Sequence, residues 1–223
     1  MGDYLQVLPI LLRGLDITLY VLLGSVVVGY LIAFIAGFGR LSANPFIRKF
    51  TVVYVEVFRG TSLIVQLFWF YFVLPGLLGL ELTNFQSGLL AGILGIGFNY
   101  GAYMSEVVRG AILAVPHGQY EAATALNMSR FERMRLVVFP QAVRMMLPEF
   151  GNYLIQMLKA TSLVYMISLA DMTYEAGLFQ STNISMTIPI YTMLLVVYFI
   201  LALPLIGLTK WFERIASRGV ASE

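Results

Sequence analysis

The chain contains no cysteine and a single histidine, His117. The first absence rules out disulfides and thiolate metal sites. The second rules out a histidine-built metal cluster within one chain, so no metal site is expected. Charged residues make up 12% of the 223, about half the share usual in soluble domains. No G-x-x-x-x-G-K-[ST] stretch occurs, so the backbone cradle that holds nucleotide phosphates is missing, and the chain is not expected to bind ATP or to be an enzyme. A Ser/His pair would have to use His117, far from any apolar span. The net charge of +2 says little by itself, and no nucleic-acid partner is expected. The opening MGDYLQVLPILLRG has Asp3 where a secretion signal carries basic residues, and its apolar run outlasts an h-region, so it reads as a retained span. Gln6 stands where myristoylation needs Ser or Thr.

What is present is apolar. Hydrophobic residues are 59% of the chain, against about 45–50% in soluble domains. A membrane span needs about 20 mostly apolar residues, and five segments qualify: roughly 16–38, 51–74, 87–108, 148–170 and 187–209. The expected fold is an all-α integral membrane protein, one domain over 1–223 with five transmembrane helices. Basic residues mark the cytoplasmic side. Arg40, Arg48 and Lys49 follow the first span; Arg109, Arg130, Arg133, Arg135 and Arg144 follow the third; Lys210, Arg214 and Arg218 follow the fifth. The 75–86 and 171–186 connections carry none, only Glu81, Asp171 and Glu175. The N-terminus is therefore expected outside and the C-terminus in the cytoplasm.

Two similar strings, EVFRG (Glu56–Gly60) and EVVRG (Glu106–Gly110), stand fifty residues apart. Under this topology both lie near the inner ends of neighbouring spans. Glu and Arg at i and i+3 share a helix face. They are either local pairs that anchor helix ends or one network of Glu56, Arg59, Glu106 and Arg109 at an inner vestibule, with the two glycines allowing a sharp turn or a close backbone. Stripes of small residues, Ser25/Gly29/Ala33/Gly37 and Gly97/Gly101/Ser105, are expected to be packing faces.

The 109–147 connection is long for a loop and structured by composition. Pro116 and Gly118 open it, a short helix runs through QYEAATAL, and Asn127 can stop that helix in the left-handed conformation. SRFE then makes a capping box, with Ser129 and Glu132 as partners. A second helix is expected to end at Pro140. The first helix presents Ala122, Ala123 and Ala125 around Glu121, a surface suited to a groove on a partner; an amphipathic helix on lipid is the alternative.

GQYEAATALNMS followed by FPQAVRMMLP resembles the EAA loop of ABC importer permeases. VEVFRGTS, NYGAYMSEVVRGAI, VPHGQYEAA and LKATSLVYMISLAD are similar to the polar amino acid permease family of histidine–glutamine–arginine type, over nearly the whole chain. The resemblance implies a second permease subunit, identical or homologous, two ATPase subunits carrying ATP and Mg, an extracytoplasmic solute-binding protein, and a bacterial inner-membrane location. It assigns ATPase coupling to Gly118, Glu121, Ala122, Ala123, Asn127 and Pro140. Three positions depart from the family: Asn127 replaces Gly, Ser62 replaces Pro and Ala160 replaces Asp. ALN and LKATSL resemble the ectoine/hydroxyectoine branch. The implied cargo is a polar amino acid or related zwitterion; a secondary, ion-coupled transporter is the alternative.

Transporter sites favour mid-depth and broken helices. Asn99, Tyr100, Tyr103, Lys159, Thr161 and Ser162 are the candidate solute pathway on that ground. Lys159 is a functional candidate because a lysine in a span is costly; a counter-ion for Glu56 or Glu106, or snorkelling, is the plain alternative. Gln66 is expected to make an interhelical hydrogen bond. The acidic outer connections are expected to receive the binding protein.

Overall fold

Apolar residues from Gln6 onward wind into one rod. The computed structural model describes residues 2–217; α1 (Gly2–Leu11) passes through a 3-10 turn into α2 (Leu15–Arg40), giving 35 continuous residues from Gln6 to Arg40. At 1.5 Å per residue this is roughly 50 Å, more than the ~30 Å hydrocarbon core needs. A second rod, Ile184–Ser217, is mostly α11 (Thr187–Ser217). Both are long and apolar enough to cross a membrane.

Between them lie α3 (Pro45–Gly60), α4 (Leu63–Phe68), α5 (Leu74–Leu77), α6 (Asn84–Leu113), α7 (His117–Ala125), α8 (Arg130–Glu132), α9 (Phe139–Thr161) and α10 (Met172–Thr182). Among the described residues there is no strand. Local chemistry sets the starts. Asn44 caps α3 by accepting from Phe46 N–H at 2.9 Å, with Pro45 inside the first turn where its missing donor costs nothing. Thr83 and Gln86 form a reciprocal capping box on α6.

α6 is the centre. Half of its thirty residues are buried, because its glycines let α2 come close. A Cβ on Gly97 would stand 2.7 Å from the Val28 side chain, and one on Gly101 would stand 2.9 Å from Ile32. The small-residue stripes therefore meet as expected, and dispersion between tightly apposed helices holds the pair. With its glycines and polar groups α6 is not apolar enough to rank with the two rods.

Three expectations need correction. The 51–74 run is two helices bent by 109°, not one straight span. The 109–147 segment is mostly helix: α6 runs on to Leu113, and Pro140 does not end the helix before it. Residues Arg133–Val138 form a π-helical segment leading into α9. The wider i→i+5 turn relieves the clash between a proline ring and the carbonyl four residues back; a second π segment, Trp69–Val73, precedes Pro75 in the same way. Last, the 171–186 connection is α10 plus a 3-10 turn, and Asp171 is fully buried. Its carboxylate caps α10, accepting from Tyr174 N–H at 2.9 Å, so it cannot contribute surface charge.

Side chains that face outward are apolar. Tyr20, Leu23, Val27, Leu31 and Ile35 form an exposed stripe on α2, and Ile188, Leu195, Phe199 and Ile200 do so on α11. Exposed apolar faces of this extent suit a lipid or protein surrounding.

Candidate functional site

The site begins where α3 breaks. Thr61 and Ser62 are extended, and Ser62 has φ −68°, the value a proline imposes, so serine keeps the geometry that proline would force. The break strands the carbonyls of the last turn of α3, which in an apolar surrounding need partners. Gln66 Nε2 donates to the Phe58 carbonyl at 2.9 Å and to Thr61 Oγ1 at 2.7 Å. Asn99 Nδ2, from α6, donates to the same Phe58 carbonyl at 3.0 Å and to Gln66 Oε1 at 3.1 Å. Tyr103 donates to the Arg59 carbonyl at 3.3 Å. Gln66 thus makes the expected interhelical bond and also braces the break.

Both amides are buried. Gln66→Leu is expected to lower stability by about 1–3 kcal/mol, the cost of leaving buried partners unsatisfied, read as a lower unfolding temperature in detergent. An unchanged unfolding temperature would show that the break is held by other contacts.

Beside the break is a cleft of about 460 Å³, within the range of small-molecule sites. Thr61, Ser62 and Leu63 line it from the break, Asn99, Tyr100 and Tyr103 from α6, and Tyr153 and Gln156 from α9. The three tyrosine rings form a near-equilateral triangle, with centroids 6.5, 6.2 and 6.3 Å apart. Three of the six pathway candidates, Asn99, Tyr100 and Tyr103, are in this lining. Lys159, Thr161 and Ser162 are not. Six residues of α-helix leave Lys159 about 120° round the axis from Tyr153. Lys159 is exposed and lines a different cleft of about 380 Å³ with Ser162 and Tyr198. It makes no ion pair with Glu56 or Glu106 among the described residues. Thr161 is fully buried, its hydroxyl donating to the Leu158 carbonyl at 2.7 Å. Tyr153 was missed because fifty residues separate it from Tyr103 and nothing local links them.

Next to the cleft, Glu106 gathers arginines from three helices. Its Oε1 accepts from Arg40 Nη1 and, at 3.4 Å, from Arg59 Nη1; its Oε2 accepts from Arg109 Nε at 2.9 Å. The structure thus brings Arg59, Glu106 and Arg109 together. Glu56 is a correction: it is exposed and makes no ion pair among the described residues. Glu56 lies about 60° round α3 from Arg59, which is enough to point it away from α6, and Arg40 at the end of α2 takes a place instead. Neither glycine has a neighbour within 4 Å of a built Cβ. Gly60 ends α3 at the break, whereas Gly110 lies inside α6.

At the far end of α6, α7 presents Gly118, Glu121, Ala122 and Ala125 to the surface, while Ala123 is buried. Glu121 makes one local contact, to His117 Nδ1 at 3.1 Å. Asn127 is left-handed, φ 54°, and the helix closes with Met128 N–H to the Ala123 carbonyl and Asn127 N–H to the Thr124 carbonyl, 3.1 and 2.9 Å, a Schellman end. Ser129 and Glu132 then form the expected capping box. The Ser129 hydrogen bonds, side chain first and backbone second, hold the Glu132 carboxyl below its ordinary range. Pro140 is exposed but sits in the first turn of α9, apart from α7.

A break that exposes polar groups inside an apolar helical body, next to a polar cleft, defines a membrane protein of the transporter kind. Residues 25–218 match the family described as binding-protein-dependent transport system inner membrane component, and the chain belongs to that family. It is 43% identical to a probable amino-acid ABC transporter permease protein, y4tF, of Sinorhizobium fredii, over 97% of this chain and 90% of that one. It is 36% identical to the histidine/lysine/arginine/ornithine transport system permease protein HisM of Salmonella typhimurium, over 92% and 91%. A chain in the crystal structure of an amino acid ABC transporter with histidines superposes with a TM-score of 0.82 at 34% identity, covering 94% of this chain and 95% of that one.

Proposed function

We propose that this chain is the permease subunit of a binding-protein-dependent ABC importer for a polar amino acid or a related zwitterion such as ectoine or hydroxyectoine. The observation that carries the reading is the polar cleft at the α3–α4 break in a chain of this family. Solute passes along the cleft lined by Asn99, Tyr100 and Tyr103. The chain crosses a bacterial inner membrane five times as a single domain, N-terminus outside and C-terminus in the cytoplasm; the bent α3–α4 pair, and α9 continuing toward α10, count as one crossing each. It is not itself an enzyme and holds no cofactor. ATP and Mg are bound by two partner ATPase subunits, which dock on α7 through Gly118, Glu121 and Ala122, with Asn127 setting the turn that follows. A second permease subunit completes the pathway, and a solute-binding protein delivers cargo at the outer face, where Glu81 and Glu175 supply negative charge.

The test is uptake into proteoliposomes holding the complex that co-purifies with the full chain. Uptake is expected to require ATP and the binding protein and to survive collapse of ion gradients. Uptake that continues without ATP but stops with an ionophore would overturn the reading in favour of an ion-coupled carrier.

A further inference from the structure

The break at Thr61–Ser62 has two sides. Thr61 lines the polar cleft described above and also an apolar groove of about 330 Å³ in the α3–α4 elbow. Val57, Val65, Trp69 and Phe70 wall that groove. Its one amide, Gln66, has its nitrogen bonded to the Phe58 carbonyl and its oxygen to Asn99. Apolar cavities hold water poorly, and an empty one forfeits dispersion contacts along its walls.

The groove continues an apolar face of α3. Phe46, Phe50, Val53 and Val57 are all exposed and fall within an arc of about 60°. The opposite, buried face holds Thr51 and Val55. The third face is charged, with Arg48, Lys49, Glu56 and Arg59 inside about 100°. Lys49 stands at the boundary, about 40° round the axis from Val53. Arg48 and Lys49 are exposed and make no ion pair among the described residues. Glu56 lies seven residues, about 10 Å, farther along the helix from Lys49.

Contacts set the depth of this face. Gly39, at the end of α2, abuts Thr51, and Asn99, midway along α6, reaches the Phe58 carbonyl. α3 therefore climbs from the end of the first spanning rod to mid-depth. Lys49 to Val57 is about 12 Å, with the groove just beyond, and half of a ~30 Å hydrocarbon core is about 15 Å. A lipid whose phosphate sits beside Lys49 thus ends its chain in the elbow. Helices in membranes meet through small residues, as α2 and α6 do. The Phe and Val side chains here leave a rough surface that a flexible chain can follow.

We propose that this face of α3 and the elbow groove bind one acyl chain of an anionic phospholipid, from the leaflet that meets the α2–α3 turn, with its phosphate held by Lys49 and Arg48. The chain end fills the apolar side of the break, opposite the polar cleft.

The chain has two tryptophans, Trp69 in the groove and Trp211 on α11, so the emission lost in Trp69→Phe reports the groove. The purified complex is placed in phosphatidylcholine nanodiscs carrying a minor fraction of brominated lipid. Phosphatidylglycerol brominated near its chain ends is expected to quench the Trp69 signal at least about twofold more than phosphatidylcholine brominated at the same carbons. It should also quench more than phosphatidylglycerol brominated near the ester. Arg48→Gln combined with Lys49→Gln should bring the two headgroups level, and exposed positions of this kind leave the fold intact. Equal quenching by both headgroups in the parent would make the face ordinary bilayer contact and overturn the proposal, as would a headgroup preference that survives the double substitution. Stronger quenching from bromine near the ester would place the chain end elsewhere, and no quenching by any lipid would mean that protein covers the groove; either result overturns it too.

Discussion

Glu106→Ala is expected to cost more than removing any one of the arginines that Glu106 holds. The substitution leaves Arg40, Arg59 and Arg109 clustered without their shared counter-ion. Breaking a buried pair by removing one partner costs about 3–5 kcal/mol. The Arg59 and Arg109 side chains are 39% and 36% exposed, and solvent screening lowers the figure to about 2–4 kcal/mol. Arg40, at 14%, is the member that solvent helps least. Arg40→Leu in the Glu106→Ala background should therefore recover part of the lost unfolding temperature in detergent, with a coupling of about 0.5–3 kcal/mol in the double-mutant cycle. Because Glu106 ties α6 to the end of α2 and to the last turn of α3 beside the break, transport should fall further than stability alone explains. Glu56→Ala, at an exposed position with no ion pair among the described residues, should stay within about 0.5 kcal/mol of the parent. Equal stability of the Glu106→Ala and Glu56→Ala variants would mean that the cluster does not hold the three helices together.

The second large effect belongs to α7, and its signature is the opposite: function lost with the fold intact. Glu121→Lys reverses a charge on a side chain that is 72% exposed and whose local partner is His117. Little folding free energy depends on such a position, so expression, membrane insertion and unfolding temperature should match the parent. Coupling to the ATPase subunits proposed to dock on α7 should fail, because a charge reversed at a docking surface that accommodates a carboxylate costs several kcal/mol. ATP-driven uptake is expected to drop at least about tenfold on that ground, together with weaker recovery of the ATPase in pull-downs. A Glu121→Lys complex that retains its ATPase and transports normally would remove the coupling role from α7.

These two sites differ in how much of them was legible in the residues. The end of α7 was legible because its causes are local. Asn127 can adopt a left-handed backbone, and Ser129 and Glu132 are three apart, so each cap closes within one turn whatever packs nearby. The small-residue stripes on α2 and α6 were legible for a related reason: helical periodicity places residues four apart on one face, and glycine there has no use except close approach. The apolar runs mark a membrane protein before any coordinate is considered, and the resemblance carried by GQYEAATALNMS and FPQAVRMMLP narrows it to the permeases.

The partners of Glu106 were not legible in the same way. Spacing showed that Arg109 could reach it, yet that Arg40 and Arg59 also reach it while Glu56 stays outside the cluster depends on how α2 and α3 are rotated about their axes, across separations of 66 and 47 residues for the Arg40 and Arg59 contacts. The break at Thr61–Ser62 is of the same kind. No proline or glycine pair forces it; Gln66 and Asn99 hold it open from one turn beyond and from another helix, and only folding brings them to the stranded carbonyls. The tyrosine triangle and the burial of Asp171 also follow from where distant segments come to rest. Sequence by itself determined what each helix can do, through interactions closed within a turn. The tertiary structure decided which faces meet, because rotation and crossing of helices are set by packing along their whole length and by no single residue.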